Sequence, residues 1–541
     1  MASDSARQIQ GLLLELVGVQ SDTGTPHELA MAKKLLALLR GHGYFARHPD
    51  QCGAFEDRDL LHRPVVWGLR RGRSSRTVIL EGHYDTVEID CYGLLKPYAL
   101  TPALLKQHMK AAEPEDPQVG EDLDDEAWGF GRGMADMKAG LAINLHTLLS
   151  LEDPDVSILF LAVPDEENMS SGALQAIGLL GRLQEQFGLD YRLLILTEPQ
   201  IHGKEDLRTI RINRGGIGKM LPVVLAKGVL THSAAILKGL NSAFMLAEIV
   251  RSIELNTSLS SSDQGVVSPP PAVQFMRDLK TTYDVTVPEY SAACFNVMFL
   301  RTRPPMALLE DLERICADAL ASVLHRHQEA HRIMAGQGGA DEDEPRAFRP
   351  TVLTLARLEQ QLQARSETFP EFKRETTHRL GEKVRAGELN LPTASIQYMR
   401  AMVERAGIPG PAVVLGVAPP YYPSVQADAL GKDFAPCLDG LDAFMRTRYA
   451  TGVEFVPYVA GMTDLSYTSS TDPVAERRFL DNLALAPEVY DVPVERIARL
   501  NIPAVTFGPA GRDIHKPGER VYLPDVTRRI PDLVARIIAQ A

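Results

Sequence analysis

The chain has 541 residues, 45% of them apolar and 23% charged, with a formal net charge of −13. That length exceeds one ordinary core and implies two domains, or one domain carrying a large insertion. The acidic balance excludes a nucleic-acid partner and an anionic membrane surface, each of which needs a basic face.

From the N-terminus, Ile9, Leu12, Leu13, Leu16 and Val17 recur at helical spacing with Gln and Glu between them. This predicts an amphipathic first helix; no basic n-region or small-residue cleavage site marks a signal peptide. A helix over 31–39 and a buried strand over 77–80 follow. The acidic stretch 113–126 reads as a solvated loop. Then come a helix over 137–149, a strand over 157–163, a helix over 173–187 and a strand over 193–196. Strands alternating with helices predict βαβ units and a mostly parallel sheet.

Around Asn213-Arg214-Gly215-Gly216 the texture changes. A strand over 219–225, a helix over 243–255, a Pro-rich loop at 269–271, a strand over 292–301 and a helix over 307–333 follow. The stretch 336–345 reads as a polar surface loop, 351–356 as a strand, and 367–385 as a charged helix. The α/β texture resumes near Thr393, with a helix over 396–406, strands over 412–417 and 504–507, and a last helix over 530–538. The expected fold is α/β. A mostly parallel-sheet domain spans 1–213 and 393–541, an inserted α+β domain spans 214–363, and a helical extension spans 364–392. No apolar run approaches the length of a membrane span. Five scattered cysteines (Cys52, Cys91, Cys294, Cys316, Cys437) lack CxxC spacing. They argue against a disulfide framework or thiolate zinc site and suit a reducing compartment, so a cytoplasmic location is expected.

Chemistry concentrates at the strand ends. The first strand runs into His83-Tyr84-Asp85, the second into Asp165-Glu166-Glu167, the third into Thr197-Glu198, and the last into Gly508 through His515. In parallel α/β sheets the carboxyl ends of the strands line the site. A further carboxylate, Asp136, sits in a Gly-rich turn, 131–140, that opens a helix. Together His83, Asp136, Glu167, Glu198 and His515 supply two imidazoles and three carboxylates, the donors that hard and borderline divalent ions take. Two ions held roughly 3.5 to 4 Å apart need such a set, with a carboxylate bridging them. Asp85, two residues after His83, is suited to hold the other ring nitrogen. Glu166 and Glu167 cannot both point at one ion, which leaves one as ligand and the other as a general base. Each piece alone has a bland reading as a strand-end His or a solvated acidic turn. It is the occurrence of all five in order along the chain that points to a metal centre.

Five segments resemble the M20 metallopeptidases across nearly the whole chain: Gly82-His-Tyr-Asp-Thr-Val87, the turn from Gly131 to Gly140, Asp165-Glu-Glu167, Thr197-Glu-Pro199 and His515-Lys-Pro-Gly-Glu519. Length and the stretch Ala418 to Pro423 look like the arginine-utilisation (RocB-type) branch. The resemblance implies His83 and Glu198 on one ion, Glu167 and His515 on the other, Asp136 bridging, Asp85 orienting His83, and Glu166 as base. It implies that the inserted domain is a lid or dimerisation domain, that its His232 polarises the substrate carbonyl, and that Arg301 lies near a substrate carboxylate. Ala139 and Lys516 depart from the family pattern without removing a ligand.

The expected function is two-metal hydrolysis of an amide or peptide bond in an N-acyl amino acid or small peptide, arginine-related through the branch. The expected cofactor is two divalent ions per chain, zinc first, with cobalt and manganese as alternatives. A homodimer is the expected assembly, with no nucleic-acid or membrane partner. The competing expectation is a metal-bound regulator or binding protein of arginine metabolism without turnover.

Overall fold

The computed structural model describes residues 4–57, 59–112, 114–201, 207–337, 347–430, 434–459 and 461–541. The expected loop 336–345 therefore lies largely outside the described residues. Two compact units emerge. The first is Met1–Gly216, Val425–Thr471 and Glu495–Ala541; the second is Ile217–Ser424 and Asp472–Val494.

Eight strands build the main sheet of the first unit. In chain order they are β1 (Cys52–Phe55), β2 (Val65–Arg70), β3 (Arg76–His83), β4 (Ser157–Val163), β5 (Asp190–Leu196), β6 (Thr209–Asn213), β7 (Gly452–Val456) and β8 (Ala504–Thr506). Their spatial order is β1-β2-β4-β3-β5-β8-β6-β7. The four central strands, β4, β3, β5 and β8, pair in parallel. They are the four whose apolar runs and chemical endings stand out in the sequence. Antiparallel pairing appears toward the edges, between β1 and β2, β2 and β4, and β8 and β6.

Val78, Leu80, Phe160, Ile195 and Val505 of these strands share one buried cluster with Leu13, Leu16, Leu35, Leu145 and Ile537 of the flanking helices. Burying a side chain of this size contributes about 1.5–3 kcal/mol. The helix Lys138–Ser150 is buried almost all round, from Lys138 through Thr147 and Leu148. Its Gly140 is required by a close approach. A Cβ there would stand 2.1 Å from the carbonyl oxygen of Thr197, at the end of β5.

In the second unit, five strands lie in the order Ala272–Asp278, Tyr290–Phe299, Gly218–Lys227, Ala412–Tyr422 and Thr351–Thr354. All pairs are antiparallel except the last. This corrects the expected return to the first domain at Thr393. The strand Ala412–Tyr422 pairs with Gly218–Lys227 and Thr351–Thr354, so it completes the second unit's sheet. The helices Phe369–Arg385 and Leu391–Ala406 belong to that unit as well, and the chain re-enters the first unit at Val425. Arg214 to Gly216 stay in the first unit.

Candidate metal centre

β3 runs directly into His83, β4 ends two residues before Asp165, and β5 ends two residues before Glu198. β8 leads through the short strand Ala510–Arg512 to His515. Asp136 precedes the buried helix Lys138–Ser150.

These side chains converge on Asp136. Its Oδ1 lies 3.0 Å from Nε2 of His83, and its Oδ2 lies 3.1 Å from Nε2 of His515. The same His515 nitrogen is 3.0 Å from Oε1 of Glu167. Glu198 brings Oε1 to 3.8 Å from Nε2 of His83. Donor atoms of His83, Asp136 and Glu167 all lie within 4.8 Å of one another, a group able to hold a metal ion. Glu198 Oε1 supplies an independent test of fit. It is buried and has no hydrogen-bond partner among the described residues. A buried carboxylate oxygen without a donor is costly unless something positive meets it. The nitrogen and oxygen donor set suits a borderline divalent cation.

The imidazoles and carboxylates of the cluster shift one another strongly. Burial opposes the charged form of His83, but Glu198, Asp136 and Asp85 overcome it and raise its pKa well above the usual value. His515 is pushed up to about 10, first by hydrogen bonds to Asp136 and Glu167. Burial raises Glu166 and Glu198 well above the ordinary carboxylate range, with neighbouring carboxylates adding to it. Burial acts the same way on Asp136, but both imidazoles outweigh it and hold that carboxyl far down.

Asp85 meets His83 differently from the expected carboxylate contact. Nδ1 of His83 is 3.0 Å from the backbone carbonyl of Asp85 and 3.6 Å from its carboxylate. The latter exceeds hydrogen-bond range. The Asp85 carboxylate instead accepts the amides of Glu166 (3.1 Å) and Glu167 (3.2 Å), fixing the turn that carries both.

Buried polar groups around the cluster escaped the sequence reading. Asp165 is not a solvated turn residue. It is wholly buried, and its Oδ1 accepts from Arg63 Nη1 at 2.7 Å. The same guanidinium reaches Glu28 at 2.8 Å and Asp59 at 2.8 Å. Burial, with the Asp85 carboxylate second, pushes Glu28 up to about 8 although Arg63 opposes the shift. Asn144 receives the Thr197 hydroxyl at 2.8 Å and donates to the Glu81 carbonyl at 3.0 Å, tying the ends of β3 and β5. Glu81 and Asp464 line a cavity of about 10 Å³, room for one water. Burial pushes Asp464 up to about 7.

The acidic stretch is corrected too. Residues Pro117–Asp124 form a helix, and its Asp122 is buried. That carboxylate accepts from Arg512 at 2.8 and 2.6 Å and from Arg520 at 2.5 Å. Arg512 also stacks over Trp128, 4.4 Å from the ring centre. Arg520 reaches on to Asp513 and the carbonyl of Gly518, bracketing His515.

His232 and Arg301 belong to the second unit. His232 is exposed and caps the short helical segment Ser233–Lys238, with Nδ1 accepting the Ala234 amide at 3.0 Å. Arg301 is exposed and pairs with Asp263 at 2.8 Å.

Residues 79–341 match peptidase family M20/M25/M40. The chain is 29% identical over 547 residues to Uncharacterized protein YqjN of Bacillus subtilis, covering 98% of this chain and 96% of that one. It is 29% identical over 557 residues to Protein RocB of the same organism, covering 98% and 94%. Among solved structures, the M20 family metallo-carboxypeptidase Sso-CP2 from Sulfolobus solfataricus is similar with a TM-score of 0.52 at 12% identity, covering 98% and 99%. Aminopeptidase PepT from Bacillus cereus ATCC 10987 is similar with a TM-score of 0.51 at 14% identity, covering 99% and 98%. These two likenesses concern the fold. Among the described residues no helix is long and apolar enough to cross a membrane.

Proposed function

We propose that this chain, whose residues 79–341 match peptidase family M20/M25/M40, is a metal-dependent hydrolase that cleaves an amide or peptide bond with two divalent ions held around Asp136. The observation that carries this reading is the Asp136 carboxylate, which offers one oxygen to His83 and the other to His515. In it, His83 and Glu198 would hold one ion, Glu167 and His515 the other, and Asp136 would serve both.

When bound, the ions would lower the pKa of a water toward neutrality and draw charge from the scissile carbonyl. Glu166 takes the proton from the attacking water and returns it to the leaving nitrogen. Asp85 holds the amide of Glu166 and so aims that carboxylate. Arg63, through Asp165, stiffens the same turn from the other side. His232 polarises the substrate carbonyl, and Arg301 binds a substrate carboxylate. The substrate class is an N-acyl amino acid or short peptide, and arginine-containing members come first because of the resemblance to the RocB-type branch. Zinc is the first metal to try, and a homodimer is the proposed assembly.

The test is a screen of N-acyl amino acids and dipeptides, with phosphoesters as controls, using protein reconstituted with zinc, cobalt or manganese. Amide cleavage that depends on added metal supports the reading. Two bound ions with no turnover on any amide would support the regulator instead.

A further inference from the structure

Glu519 ends the turn that begins at His515, and it is 0% exposed. Its backbone amide donates to the carbonyl of Lys516 at 3.1 Å, which closes that turn. Its carboxylate reaches a different part of the chain. Oε1 accepts the backbone amides of Ala135 at 3.2 Å and Asp136 at 3.3 Å. Oε2 takes the guanidinium of Arg132, and the Glu519 carbonyl accepts the amide of Gly131 at 3.1 Å. One buried residue thus grips the 131–136 turn while forming the far end of the turn that carries His515.

We propose that Glu519 is a positioning residue for the metal centre. By holding the amides of Ala135 and Asp136, it sets the Asp136 carboxylate against His515 and thereby the affinity of the cluster for its ions. The inference rests on the reading that Asp136 and His515 hold metal.

Arg132 alone would explain a buried carboxylate, since a buried guanidinium needs a counter-ion. It does not explain two backbone amides of the turn meeting one oxygen, one of them from Asp136 itself. Losing an outer partner of a metal ligand typically weakens metal binding about 10- to 100-fold. Counter-ion loss and loss of the amide grip can be separated, because an amide side chain keeps an acceptor while carrying no charge.

The decisive comparison uses the full-length protein loaded with Co²⁺ and competed with a chelator, read by the cobalt absorption band. Two double variants, R132M/E519Q and R132M/E519M, both abolish the ion pair with side chains of similar length. Only the first keeps an oxygen for the amides. R132M/E519Q should hold Co²⁺ within about threefold of wild type, and R132M/E519M about 10- to 100-fold more weakly, with a perturbed band. Equal affinities for the two would overturn the positioning role. If R132M/E519M does not fold, E519D replaces it. That carboxylate keeps a charge for Arg132 but is one methylene too short for both amides, so it should bind Co²⁺ more weakly; wild-type affinity would overturn the proposal. D136A run in parallel separates the premise from the inference. Undiminished binding in D136A overturns both, whereas weakened D136A with equal double variants overturns only the role of Glu519.

Discussion

Oδ2 of Asp136 lies 3.1 Å from Nε2 of His515, although 379 positions separate the two residues. The contact joins the turn before a buried helix to a loop beyond the last central strand. If Asp136 serves two ions, Asp136→Ala should lose both rather than one. Mass-spectrometric metal content checks this, and a variant with full metal content and activity would show the assignment wrong.

Glu166 and Glu167 are neighbours with different surroundings. Glu167 contacts His515, whereas the amides of both are held by Asp85. Glu166→Gln should keep its metal and lose about 10²- to 10⁴-fold in turnover, the usual contribution of a general base. Glu167→Gln should weaken metal binding. Equal metal loss in the two variants would refute the division of labour.

The imidazole of His515, pushed up to about 10 by Asp136 and Glu167, is protonated at pH 7 in the metal-free chain. Metal ligation requires the neutral ring, so uptake must displace that proton. A raised pKa keeps the proton bound throughout the range below it. Apparent affinity should therefore fall as pH falls, by up to about tenfold per unit for each proton displaced. Calorimetric titration in two buffers of different ionisation enthalpy reads the release directly. Identical heats in both would contradict it.

Gly140→Ala should destabilise the first unit. The added Cβ meets the carbonyl oxygen of Thr197 at 2.1 Å, and that atom belongs to the backbone beside Glu198. Overpacking of this kind costs about 1–3 kcal/mol or more. Metal content should drop with it. Gly181→Ala, in the helix Ser171–Phe187 with nothing within 4 Å of its Cβ, is the control. It should stabilise by up to about 1 kcal/mol through helix propensity. Denaturant unfolding of the pair tests both signs.

His232 admits a test that separates capping from chemistry. Its Nδ1 caps a helical segment, and Asn caps as well. His232→Asn should therefore preserve stability while losing turnover, and His232→Ala should lose both. Full activity in His232→Asn would reduce the residue to a cap.

The central strands and their endings were legible because apolar runs such as Thr77-Val-Ile-Leu80 stop abruptly at His or carboxylate residues. Which sheet a run joins is not written in the run. Residues 412–417 look like β4 in composition, yet they pair within the second unit. The buried ion networks were illegible for a related reason. Arg63, Asp165 and Asp122 are residue types that normally face water, and they are taken inside by ion-pair partners that, Asp59 of Arg63 excepted, are distant in sequence. One local signal existed for Asp122. Val119 and Leu123 are buried on either side of it, a helical spacing inside an otherwise acidic stretch.

That spacing bears on redesign of the surface. Glu115, Asp116, Glu121, Asp124, Asp125 and Glu126 are exposed, and their negative charge can be removed with no buried partner lost. Asn at 116 and 125 would retain the turns that those two side chains cap. Asp122 is the one carboxylate of the described stretch that cannot be traded. Its removal strands Arg512 beneath Trp128 and leaves Arg520 with Asp513 as its remaining carboxylate, and a buried charge deprived of its partner costs about 3–5 kcal/mol. A loop graft that matched the stretch in length and net charge but shifted that single aspartate would fail, and the failure would surface around His515 rather than at the graft.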